Sequence, residues 1–344
     1  MSEEQTTEAL STVTNVVKEL VSDGGLTLPT PIRRNALKAF DQLCTALMDL
    51  PVAYLEGKAA ERRAATQARI KLITTSADQI AAQMSVDPQY ARIAADKYGQ
   101  RIVQEQINLD KICEVAAQEI YSAAEQNENS GKEDEEALQI SDDWIDSFRK
   151  EACGKSSEEM QILFGKILAG EIKQPDSFSI RTVRIMGQLD SRAASLFRLL
   201  CSLCVTLGHQ DVILDSRVPS LGGNAAQNFL QHYGLSFANL NVLEEYGLII
   251  SDFNSYIDYR ATIARNNMVG VALKYSNTYW GLVPANIDDW PLEKDLRVHG
   301  VQLSNSGKEL LKIVEIEPNE QYASALNAYF LNMGLKLTVV PNFQ

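Results

Sequence analysis

Apolar residues recur at three- and four-residue steps along this chain as far as about Leu207, which is the period of amphipathic helices. Ile32, Ala36, Leu37, Phe40, Leu43, Cys44 and Leu47 form the first such stripe, opened by Leu28-Pro29-Thr30-Pro31 and closed by Pro51. Two longer helical stretches rich in Ala, Arg and Gln follow, Val52–Met84 and Pro88–Glu125. The turn Ser85-Val86-Asp87-Pro88 would fold them into an antiparallel hairpin. The pattern therefore predicts a helical arm over residues 26–125, which either protrudes, lines an oligomer seam or packs onto the rest of the chain.

Start and stop signals are sharpest between Ser141 and Leu207. Ser141 suits an N-cap for a helix carrying Trp144, Ile145 and Phe148, with Gly154 as its stop. Ser156-Ser157-Glu158-Glu159 has capping-box spacing, with Ser156 and Glu159 as the reciprocal pair, before an apolar face of Met160, Leu163, Phe164, Ile167 and Leu168. Pro175 breaks the chain and Ser177 or Ser179 restarts it. Asp190 then caps a helix with Ala194, Phe197, Leu200, Cys201 and Cys204 on one side. These elements predict a central helical module over residues 141–207.

Beyond Gly208 the period changes. Asn224–Tyr233 and Ser236–Tyr246 read as short helices, the second ended by Gly247 and followed by Leu248-Ile249-Ile250. Strands are predicted at Tyr256–Ala264, Met268–Tyr275, Thr278–Val283 and Val301–Leu303. Ser304 caps a helix carrying Leu310, Leu311 and Ile313, and a last helix, Asn319–Met333, stops at Gly334 before a strand at Leu335–Val340. Helix, turn, helix and a step into strands is a winged-helix-like order. The expected fold is mainly α with a C-terminal α+β part over residues 208–344.

The intervening segments differ in composition. Residues 1–25 are polar and acidic and read as a mobile tail. Residues 126–140, QNENSGKEDEEALQI from Gln126, read as an acidic linker. The linker would be able to mask Lys58, Arg62 and Arg69 on the preceding arm. The whole chain has 344 residues and a formal net charge of −13, which argues against general nucleic-acid binding but leaves room for a local basic patch. Five cysteines without framework spacing fit a reducing compartment, and Met1 is followed by neither a basic start nor an apolar core. No run reaches the roughly 20 apolar residues of a membrane span. These features point to the cytoplasm.

A search for chemistry returns little. There is no GxxxxGK[ST], GxGxxG after a strand, HExxH or GxSxG. The three histidines, His209, His232 and His299, stand in separate contexts. Cys201 and Cys204 form a CxxC on an apolar face without a second pair, so small buried hydrophobes explain them better than a zinc or redox site. Glu158-Glu159, Asp142-Asp143 and Glu244-Glu245 read as caps and solvated faces. No catalytic, cofactor or metal residue is assigned. The predicted recognition helix also lacks the expected charge: Lys and Arg are absent between Arg217 and Arg260. The candidate nucleic-acid contacts are instead Lys58, Arg62, Arg63 and Arg69 of the arm.

The stretch from Trp144 to Asp190 resembles a bacterial family catalogued as a domain of unknown function. Trp144, the Met160-Gln161 to Phe164 run, the LAGEI of Leu168–Ile172, the Pro175–Ser179 turn and Leu189-Asp190 carry the likeness. Upstream LPVAYLEGKAAE and downstream LSNSGKELL extend it over most of residues 28–313. Similar helices occur in abortive-infection alpha proteins, a more distant resemblance that implies a role in phage defence. The resulting expectation is a non-enzymatic component of a bacterial defence or stress system that oligomerises or binds a protein partner. Two alternatives stand beside it: a nucleic-acid-binding regulator using the basic arm residues, and a metal-dependent nuclease or hydrolase with an unfamiliar carboxylate site.

Overall fold

The computed structural model describes residues 28–44, 87–126, 138–209, 212–222, 227–252, 254–265, 271–276 and 278–340. The predicted tail and the Val52–Met84 helix lie outside them. The chain divides into two compact units, Met1–Gly187 and Gln188–Gln344. That division falls inside the expected 141–207 module, so its last helix belongs to the C-terminal unit.

The N-terminal unit contains α1 (Thr30–Leu43), α2 (Pro88–Gln126), α3 (Asp142–Ala152), α4 (Glu158–Lys173) and α5 (Ile180–Gln188). Helix α2 packs mainly on α4. The close approach depends on Gly165, where an added Cβ would come within 2.5 Å of Val115 Cγ1. Helix α1 lays Ala36, Ala39, Phe40 and Leu43 against α2, α3 and α4, and all four are buried. On α3, Trp144 stacks on Phe148 at 5.0 Å, and Phe148 meets Phe164 edge-on at 5.5 Å. Burial of each such side chain contributes about 1.5–3 kcal/mol.

Local chemistry at the helix ends differs from the expected caps in two places. Helix α4 starts at Glu158 with Ser157 as N-cap, and neither Ser157 nor Ser141 makes a side-chain cap bond. The capping box assigned to Ser156 and Glu159 is therefore out of register. Helix α2 runs to Gln126, and Ile140 is buried, with its N–H donating to Asn35 Oδ1 at 3.2 Å and its carbonyl accepting from Lys38 Nζ at 2.8 Å.

The C-terminal unit begins with α6 (Ser191–Ser202), capped by Asp190 Oδ1, which accepts from the Ala193 N–H at 2.7 Å. The chain then forms β1 (Val205–His209) and β2 (Val212–Pro219), two strands the sequence reading did not predict. Next come a 3-10 turn (Phe229–Tyr233), α7 (Phe237–Glu245), β3 (Ile249–Ile250), β4 (Tyr256–Asp258), β5 (Leu273–Tyr275), β6 (Thr278–Pro284) and β7 (Arg297–Leu303). Finally there are α8 (Asn305–Leu311), α9 (Glu320–Leu331) and β8 (Leu335–Val339). The eight strands form one antiparallel sheet in the order β3-β7-β2-β1-β5-β6-β8, with β4 paired to β7. Two strands are shorter than predicted, since Arg260–Thr262 turns into a 3-10 helix after β4 and β5 holds only three residues. The predicted Asn224–Tyr233 helix is, in its described part, that single 3-10 turn. No helix among the described residues is long and apolar enough to cross a membrane.

Candidate interaction surface

Helix α2 changes character half-way along. Asn108, Leu109, Asp110, Ile112, Cys113, Ala116, Ala117 and Ile120 are buried, whereas no residue from 88 to 107 is. That outer half carries large apolar side chains in solvent: Tyr90 is 67% exposed, Ile93 49%, Tyr98 46% and Val103 59%. At about 100° per residue these four point to different sides of the helix, while the half-covered Ala91, Ala95, Gly99 and Ile102 follow one another down one side. Gly99 leaves open space where a Cβ would stand. Within the helix the outer half is supported by an Arg101–Glu105 ion pair at 2.7 Å, which contributes only about 0.3–0.5 kcal/mol. Exposed apolar side chains are thus concentrated on one segment of the helix but distributed around its circumference.

The α4–α5 corner is held by a buried carboxylate. Glu171, 2% exposed, accepts from the N–H groups of Asp176 at 2.8 Å and Phe178 at 3.0 Å, and from Ser177 Oγ at 3.5 Å. The connector needs this support, because Asp176 adopts a left-handed conformation with φ 68°. Trp144 Nε1 donates to the Phe178 carbonyl at 2.6 Å, and the Phe178 ring fills the space beside Gly170. Burial raises the Glu171 pKa, and the three donors only partly offset that. Asn35 ties α1 to the same corner, its amide reaching the Leu138 carbonyl at 3.3 Å and that of Ile172 at 3.4 Å.

A second buried network lies in the sheet. Asp215 and Arg217 alternate onto one face of β2 and pair through Arg217 Nε to Asp215 Oδ2 at 2.5 Å and Nη2 to Oδ1 at 3.1 Å. Tyr259 Oη donates to Asp215 Oδ2 at 2.9 Å. Arg217 Nη1 also reaches the carbonyls of Val298 at 2.8 Å and Ser255 at 3.3 Å, so one guanidinium fixes β4 to the sheet. Burial, together with the Asp215 charge, pushes the Tyr259 phenol well above its usual range. On the other face, Ser216 Oγ lies 3.0 Å from both Cys204 Sγ and Thr206 Oγ1. Asp215 and Tyr259 are fully buried and Arg217 is 1% exposed, so no substrate reaches the network; it is a clamp.

Lys58, Arg62, Arg63 and Arg69 lie outside the described residues. His232 sits in the 3-10 turn and His299 on β7. Cys201 and Cys204 are core residues, 1% and 4% exposed, and burial pushes the Cys204 thiol up to about 12. All five cysteines are free thiols. Among the described residues, no group of three or more His, Cys, Asp or Glu could hold a metal ion. The Asp215–Arg217–Tyr259 clamp escaped the sequence reading; its available signal was an acid and a base two apart in a β-patterned run, which places both on one face.

A model of the family described as "Protein of unknown function (DUF2806)" matches residues 94–327, well over half of the chain. The chain belongs to the DUF2806 family. The matched span takes in the Glu171 corner and the Asp215 clamp and begins within the exposed half of α2. No curated protein and no solved structure matches this DUF2806 chain.

Proposed function

We propose that this DUF2806 protein is a non-enzymatic cytoplasmic component of a bacterial defence or stress system that acts by associating with itself or with a protein partner. One observation carries the reading: four large apolar side chains, Tyr90, Ile93, Tyr98 and Val103, stand 46–67% exposed on the outer half of α2. Leaving them in water forgoes burial that contributes about 1.5–3 kcal/mol each, which copies or partners packed around the helix would supply. The buried carboxylates add support, since Glu171 and Asp215 are consumed by structural hydrogen bonds. The defence role rests on the distant resemblance to abortive-infection alpha proteins. A winged-helix-like reading of the C-terminal part draws support from the order of α7, Gly247 and β3, a helix followed by a step into a strand.

Sedimentation velocity across a hundredfold concentration range, alone and with bacterial cell extract, tests the proposal. Association that is lost in Tyr90→Ser/Ile93→Ser/Tyr98→Ser, with an unchanged circular dichroism spectrum, is the expected result. A species that stays monomeric throughout, or a triple variant that associates like the parent, refutes it.

A further inference from the structure

We draw no further inference here: the strongest candidate, the outward edge of β8 at one end of the sheet, already holds Leu335 fully buried, and nothing among the described residues shows what covers it.

Discussion

Substituting Arg217 by Met removes one half of the sheet's buried ion pair and keeps the strand. Asp215 is then a fully buried carboxylate with one donor left, Tyr259 Oη, and the carbonyls of Val298 and Ser255 lose the guanidinium. Breaking a buried pair by removing one partner costs about 3–5 kcal/mol, mostly the penalty of the stranded charge. For a unit of this size that corresponds to a fall in Tm of roughly 6–20 °C. Replacing the whole network by apolar groups behaves differently. Asp215→Val/Arg217→Met/Tyr259→Phe leaves no buried charge or phenol unpaired, and should be more stable than Arg217→Met alone by at least about 2 kcal/mol. Urea denaturation of both variants gives the energies, and hydrogen exchange at residues 255–259 reports whether β4 has been released. A loss below about 1 kcal/mol for Arg217→Met, or a triple variant as unstable as the single one, would refute the clamp.

Three further outcomes follow from the buried groups. Glu171 has a pKa raised above its ordinary 4.5, so the native state binds its proton more tightly than the unfolded chain. Stability is therefore greatest below that value and declines as pH climbs through the raised pKa, and Glu171→Gln should flatten this part of a Tm–pH profile. Gly165→Leu drives a side chain into Val115 at the α2–α4 contact and should cost about 1–3 kcal/mol by chemical denaturation; an unchanged midpoint would disprove the close packing. Trp290 is 5% exposed with an indole N–H that has no hydrogen-bond partner among the described residues, while Lys294 Nζ lies 4.0 Å from its ring centre. Trp290→Phe should therefore stay within about 1 kcal/mol of the parent, and Trp290→Ala should lose about 3–5 kcal/mol. A large loss for the phenylalanine variant would mean the N–H is bonded in solution.

Helices α1, α3, α4, α6, α7, α8 and α9 were readable from the chain because their signals are local. A 3.6-residue apolar period, a side-chain cap such as Asp190 or Ser304, and stops at Gly247 and Gly334 each act within a few residues. Strands β1 and β2 were not readable. The apolar run Leu199–Leu207 suits a helix as well as a strand, and pairing with β5 and β7, far along the chain, decides in favour of extension after Ser202. The same holds for the functional surfaces. Sequence alone established the family likeness, the absence of catalytic motifs and the presence of the long α2. Only tertiary structure decided which half of α2 is covered and that Asp215, Arg217 and Tyr259 meet. Burial and partnership are properties of distant segments brought together, and no local pattern encodes them.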